Sequence, residues 1–246
     1  MTSRPRCRPP ARLRFRSWGK LQLSQTMGVS SDFALLLGGG VESAYLLSHL
    51  LSLGRRVVPV RISLALRWEP AERRAIARLC AALEGPRLEP LVEVRSRMSE
   101  LLHAHWAVAS DWSPPAGQTA ALELPLRNWT LLLLAALRLR ERPPAAFIIG
   151  TTRDNRFPDG TPQFFHRCAE VLTYSVNYAV RVETPLLALS KSDVLRRCPR
   201  EVAALSWSCV SAVGEVHCGA CVKCVSRRRA FKQAGLEDPT DYAVRG

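Results

Sequence analysis

With 246 residues, 47% of them hydrophobic, the chain is long enough for one large α/β domain or a domain with a small appendix, and it supplies a full core, which excludes a disordered chain. The formal net charge is +14, and residues 1–27 carry +7 of it through Arg4, Arg6, Arg8, Arg12, Arg14, Arg16 and Lys20 with no acid. The remaining +7 suits an anionic small substrate such as ATP and does not call for nucleic acid, and the longest apolar stretch, Trp129 to Leu137, is too short to span a bilayer.

The basic arm over 1–27 reads as a disordered tail, an extension ahead of a start at Met27, in preference to a nucleic-acid or membrane contact or an address signal. It lacks the apolar core of a secretory signal peptide. A reducing cytoplasm is therefore expected, together with a soluble protein and no membrane partner.

The elements follow in chain order. Ala34 to Leu37 is an apolar run with no polar face, as a strand buried on both sides requires. Gly38-Gly39-Gly40 follows directly, and then Val41-Glu42-Ser43 leads into a helix over Ala44 to Leu53. Strand, glycine turn and helix in that order bring free N–H groups and the positive end of the helix dipole into one turn, an arrangement that binds phosphate. Arg56 to Ser63 is a second strand, and Glu69-Pro70 opens a helix to about Leu83. A third strand is expected over Leu88 to Val94, a helix over Ser96 to His105, and a loop over Ser110 to Thr119. Arg127 to Arg140 is helical, Ala146 to Gly150 is a fourth strand, and Thr151 to Gly160 is a polar loop. Thr161-Pro162 caps a helix to about Asn177, Ala179 to Glu183 is a fifth strand, and Ser190-Lys-Ser-Asp193 is a capping-box pattern for a helix over Lys191 to Arg197. Alternating strands and helices imply an α/β fold with a doubly wound parallel five-stranded sheet, Rossmann-like, whose ligands lie beyond the carboxyl ends of the strands.

Of eight cysteines, Cys7, Cys80, Cys168 and Cys198 are scattered, whereas Cys209, Cys218, Cys221 and Cys224 fall within sixteen positions. Closely spaced thiols in a reducing compartment point to a metal centre, and four soft ligands suit structural Zn²⁺ with no open position. A redox pair at Cys221/Cys224 and an iron–sulfur cluster are the rival readings. His217 is expected to support the site or to be exposed, because four cysteines suffice. The loop has little else to hold it, so metal binding is expected to fold the C-terminal end.

Several separated motifs in one order resemble the 7-cyano-7-deazaguanine synthases of the PP-loop ATP pyrophosphatase superfamily. Gly38-Gly39-Gly40-Val41-Glu42-Ser43 resembles the superfamily's Ser-Gly-Gly-x-Asp-Ser, and Leu124-Pro125-Leu126-Arg127-Asn128 the family's Pro-Gly-Arg-Asn. Phe157-Pro158-Asp159 resembles its Tyr-Pro-Asp, Thr184-Pro185-Leu186 its Thr-Pro-Leu, and Ser190-Lys191 its Thr-Lys. Ser206-Trp207-Ser208-Cys209, the cysteine cluster, Gly235 and Asp238-Pro239-Thr240 complete the set. The resemblance implies an ATP pyrophosphatase domain over 28–200, a zinc-binding subdomain over 201–246, and a homodimer. It implies that the glycine loop and Ser43 hold the phosphates of ATP with bridging Mg²⁺, that Arg127, Asn128, Phe157, Asp159 and Lys191 face the substrate, and that Ser43, Arg127 and Asp159 serve the chemistry. That chemistry converts 7-carboxy-7-deazaguanine and ammonia to the nitrile through an acyl adenylate.

The chain departs from the pattern at Gly38, where the usual serine hydroxyl is missing, and at Glu42, which replaces aspartate. The family's Gln-Arg-His entering the second helix has no counterpart in Trp68 to Arg74. These departures admit a diverged paralogue that transfers a related acid to another amine, on a protein or nucleic acid. A third reading, a non-enzymatic nucleic-acid-binding zinc protein, leaves the Arg127-Asn128 and Phe157-Pro158-Asp159 segments without a purpose.

Overall fold

The structure is a computed structural model that describes residues 32–97, 100, 102, 105–109, 123–176 and 178–244. The basic arm, the loop at 110–119 and half of the helix expected at 96–105 lie outside those residues. Five parallel strands run in the order β3-β2-β1-β4-β5, with β1 at Asp32–Leu36, β2 at Arg56–Ser63, β3 at Val92–Arg95, β4 at Ala146–Ile149 and β5 at Val182–Glu183. The helices are α1 (Val41–Ser52), α2 (Glu69–Ala82), α3 (Trp106–Ala109), α4 (Arg127–Arg138), α5 (Pro162–Val176), α6 (Lys191–Arg197), α7 (Arg200–Leu205) and α8 (Val222–Ala234).

The apolar run at β1 has no polar face because both sides of the sheet are covered. Phe33, Leu35 and Leu37 point to the layer of α1, α2, α6 and α7, with Leu47, Ile76, Val194 and Val202. Ala34 and Leu36 point to the layer of α4 and α5, with Leu132, Phe165 and Leu172. The chain turns from one half of the sheet to the other between β1 and β4, where Leu36 lies in register with Val60 on one side and Ile149 on the other. Such a reversal opens a crevice at the strands' carboxyl ends, and the glycine loop sits there.

Three elements differ from the sequence expectation. The third strand begins at Val92, because Pro90 has no N–H to give to the ladder, and Leu88 is left as a single bridge to Val57. Ser96 extends β3, its N–H donating to the Ser63 carbonyl at 2.8 Å, so no helix starts there. The fifth strand shortens to Val182–Glu183 because the Val180 N–H is diverted to Thr173 Oγ1 at 2.9 Å.

Three helices escape the sequence reading, α3, α7 and α8. α8 (Val-Lys-Cys-Val-Ser-Arg-Arg-Arg-Ala-Phe-Lys-Gln-Ala) has no sustained apolar period. Its buried face includes the cysteine Cys224 and an arginine, Arg227, which no hydrophobic pattern counts. Gly235, at φ +71°, closes it.

Candidate functional site

The glycine loop is the floor of the crevice. Gly39 adopts φ +78°, and a Cβ there would lie 3.2 Å from the Glu72 carbonyl oxygen. Gly40 starts α1 without a side-chain cap, which leaves the first-turn N–H groups to a ligand. Ser43 Oγ donates to the Gly40 carbonyl at 3.0 Å and so braces the loop. Gly150, after β4, packs closely on the loop, since a Cβ there would meet the Ser43 backbone nitrogen at 3.2 Å and press on the start of α1. Behind the loop, the Trp207 N–H donates to the Gly39 carbonyl at 2.8 Å, so the segment leading to the cysteines supports the glycines directly.

Glu42 and Lys191 meet across the crevice, Oε1 to Nζ, at 3.0 Å. Burial alone pushes the Glu42 carboxyl up, but Lys191, its own backbone N–H and Lys223 together hold it below the usual carboxylate range. Lys191 arrives there because α6 is anchored at its start. The Ser190–Asp193 capping box forms as the sequence predicts, and the Lys191 N–H donates to Asp154 Oδ2 at 2.7 Å.

Arg127 and Asn128 begin α4 after Leu126, whose φ of +61° is left-handed. Asp159 accepts from the Asn128 backbone N–H at 3.1 Å, and Asn128 Nδ2 donates to the Asp159 carbonyl at 2.8 Å. One carboxylate oxygen of Asp159 thus caps α4. Phe157 begins the short turn Pro158–Gly160, and its N–H donates to Asn155 Oδ1 at 3.1 Å. Arg127 is half-buried, and its Nε has no hydrogen-bond partner among the described residues.

Two further charged residues were not singled out from the sequence. Glu72 of α2 is raised to about 7, by burial first and against the pull of Arg127 and Arg61, the latter 3.8 Å away. Lys223 is exposed at the start of α8, and desolvation first, then Lys191 and Arg127, lower its ammonium below the ordinary lysine range. Neither residue belongs to a recognisable motif, and the charges that act on each come from other elements. The segment that replaces Gln-Arg-His is partly core: Trp68 is buried and stacks on Trp106 with ring centroids 5.3 Å apart.

Cys209, Cys218, Cys221 and Cys224 converge as the spacing predicts, their sulfurs all within 4.8 Å of one another. The Cys209–Cys221 and Cys218–Cys224 sulfur pairs are 3.9 Å apart. A tetrahedral metal with ~2.3 Å bonds to sulfur needs edges of about 3.8 Å, so the thiols fit such an ion. Backbone N–H groups of Ser211 and Cys218 donate to Cys209 Sγ, and that of Cys221 to Cys218 Sγ. Hydrogen bonds from Cys209 and Cys224 pull Cys221 toward the thiolate, while its hydrogen bond with Cys221 pushes Cys209 up to about 12.

The cluster is held by more than its loop, contrary to expectation. The cysteines pack with Leu64, Leu66, Trp68, Trp207 and Val210. His217 is buried, not exposed. Its Nε2 accepts the Ser208 N–H at 3.1 Å, its ring lies against Trp207, and burial followed by Arg227 lowers it to about 4. Arg227, fully buried, joins the subdomain's parts: it donates to Thr240 Oγ1, Ser206 Oγ, Ser208 Oγ and the Ala203 carbonyl, with Asp238 at 3.6 Å.

The chain matches the family described as "Queuosine biosynthesis protein QueC" over residues 33–235. It is 34% identical over 228 residues to a 7-cyano-7-deazaguanine synthase of Methanopyrus kandleri, covering 85% of this chain and 97% of that one. It is 28% identical over 225 residues to a protein of the same name from Methanothrix thermoacetophila, covering 84% and 96%. A third relative of that name, from Chlorobium phaeobacteroides, is 28% identical over 224 residues, covering 86% and 96%. With a match running from β1 to the end of α8 and relatives aligned over nearly their whole length, the chain belongs to the QueC family.

Proposed function

We propose that the protein is an ATP-dependent carbon–nitrogen ligase that adenylates a carboxylate and passes it to an amine, with 7-carboxy-7-deazaguanine and ammonia as substrates and 7-cyano-7-deazaguanine as product. The observation that carries this reading is the meeting, in a QueC-family chain, of the uncapped α1 N-terminus and the Glu42–Lys191 pair at the carboxyl ends of the strands. Residues 28–200 form the ATP pyrophosphatase domain in this reading, and 201–246 the metal-bearing subdomain.

A carboxylate resists attack because its oxygen is a poor leaving group. One carboxylate oxygen attacks the α-phosphorus of ATP, and pyrophosphate leaves. Ammonia then attacks the acyl carbon, and AMP departs, leaving the amide. A second ATP activates the amide oxygen, and loss of AMP and protons yields the nitrile. The chain's own tasks are positioning and charge stabilisation. The N–H groups of Gly40 to Ser43 and the Lys191 ammonium receive phosphate oxygens. Mg²⁺, which neutralises phosphate charge, finds a hard oxygen ligand in Glu42. Arg127 offers its unpartnered Nε–H to the acid, and Asn128, Phe157 and Asp159 border the purine-like ring. Zn²⁺ held by the four cysteines is structural, because no ligand position is left open. The exposed Leu133 and Leu137 of α4 and Val171 and Tyr174 of α5 are apolar side chains that a homodimer, as the family resemblance implies, would cover.

Incubation with ATP, Mg²⁺, ammonia and 7-carboxy-7-deazaguanine should release AMP and pyrophosphate and form the nitrile. Failure to release AMP with any deazapurine acid overturns the reading. Gly38, Glu42 and the missing Gln-Arg-His favour one second reading, a paralogue with a macromolecular amine as acceptor. It predicts AMP release without free nitrile, and mass spectrometry would then find the acyl group on a protein or nucleic acid.

A further inference from the structure

Glu42 stands in the first turn of α1, in the place of the superfamily's aspartate, and its side chain is one methylene longer. Two glycines make room for it. A Cβ at Gly150 would lie 3.3 Å from the Glu42 Cβ, and a Cβ at Gly40 would lie 3.2 Å from Glu42 Oε2. The stem therefore passes the end of β4, and the carboxylate folds back over the glycine loop. Its other oxygen, Oε1, is 3.0 Å from the Lys191 ammonium, and each of the two side chains is 18% exposed. Both oxygens are thus engaged at the loop, one above Gly40 and one on the cation. Lys191 is held in place from its own side, because the Ser190–Asp193 capping box and the bond from its N–H to Asp154 fix the start of α6.

We infer that the Glu42 carboxylate competes with phosphate for the glycine loop and for Lys191, which makes it a specificity-determining residue of the nucleotide site. The inference rests on the reading of this crevice as the ATP site. A carboxylate and a phosphate oxygen ask for the same donors, the first-turn N–H groups of α1 and the Lys191 ammonium. Two anions repel each other strongly at contact distance in a site largely shielded from water. A bare polyphosphate must therefore displace the carboxylate and leave it without a partner. A polyphosphate that brings a divalent cation gives the displaced carboxylate a new one. The site selects cation-bound over bare polyphosphate, and the extra methylene of glutamate strengthens that selection by letting one carboxylate reach Gly40 and Lys191 together.

The test is calorimetric titration of the full chain with inorganic pyrophosphate, in buffer free of divalent cation and again with Mg²⁺, using the parent, Glu42→Gln and Glu42→Asp. Without Mg²⁺, Glu42→Gln should bind pyrophosphate about 10-fold more tightly than the parent, because it releases a charge-assisted donor. Glu42→Asp, which keeps the charge and loses the reach, should bind it about threefold more tightly. With Mg²⁺ the gain of Glu42→Gln should disappear. In a Lys191→Gln background the same change should alter Mg-free affinity by less than about twofold, since the shared donor is gone. A side chain that only supported the fold would weaken binding when changed, not strengthen it. Unchanged or weaker Mg-free binding by Glu42→Gln overturns the inference. So does an equal gain with Mg²⁺ or in the Lys191→Gln background, or a Glu42→Asp variant that binds like the parent. A parent protein that binds neither ATP nor pyrophosphate in the presence of Mg²⁺ overturns the ATP-site reading itself.

Discussion

Gly38 and Gly39 are neighbours under opposite constraints. A Cβ at Gly38 meets nothing within 4 Å, whereas Gly39 combines φ +78° with a backbone oxygen 3.2 Å away. Gly38→Ser should therefore fold like the parent and restore the hydroxyl that the superfamily carries. One added hydrogen bond of about 1 kcal/mol should tighten ATP binding roughly fivefold in a calorimetric titration; unchanged affinity would place the residue away from the phosphates. Gly39→Ala should cost about 1–3 kcal/mol in urea denaturation, through left-handed strain and the contact with Glu72. Glu72 itself makes stability depend on pH. Its carboxyl ordinarily titrates near 4.5 and is raised to about 7 in the folded chain. Below 4.5 both states are protonated; between 4.5 and 7 the unfolded chain ionises first, so folding loses stability as pH rises. Glu72→Gln should gain on the parent by on the order of 2 kcal/mol between pH 4.5 and 8. Denaturant melts at both ends of that range decide it, and a difference that does not change with pH contradicts it.

At the scale of elements, α4 shows how a helix can be capped from far along the chain. The capping box of α6 is local and legible in Ser190 and Asp193. The cap of α4 comes from Asp159, 31 residues downstream, and no sequence window joins the two. Asp159→Ala should cost about 1 kcal/mol through the lost cap. Leu126, 67% exposed at φ +61°, stands where the family motif has glycine. Leu126→Gly relieves about 1–2 kcal/mol of left-handed strain but adds roughly 0.4–1 kcal/mol of unfolded-chain entropy. Thermal denaturation should then show the variant as stable as the parent or up to about 1 kcal/mol more so, and a clear loss would mean that the leucine side chain holds something in place.

For the whole molecule, the cysteine cluster and the residues that follow β2 share one packed interior. The cluster lies among Leu64, Leu66 and Trp68 from the sheet half, and Arg227 ties α7, α8 and the Asp238–Thr240 segment together. Cys221→Ser should lower the metal content from about one ion per chain and destabilise the fold by several kcal/mol, read by elemental analysis and by melting with and without chelator. A soluble, metal-free variant with the parental melting point would contradict a structural role for the metal.

The sequence by itself determined the parallel α/β sheet, because strands buried on both faces and helices of period 3.6 leave local signatures. It also determined the four-cysteine centre, because its ligands lie close together along the chain, and the family, because its motifs keep their order. What only the tertiary structure decided lies where distant segments meet. The edges of β3 and β5 depend on which partner takes the N–H at each position, and the surroundings of Glu72 and Arg227 depend on neighbours brought in by other elements. The same holds for the opening motif: three glycines in a row announced a phosphate cradle, but only the packing separates Gly38, open to a side chain, from Gly39, closed by the backbone of α2.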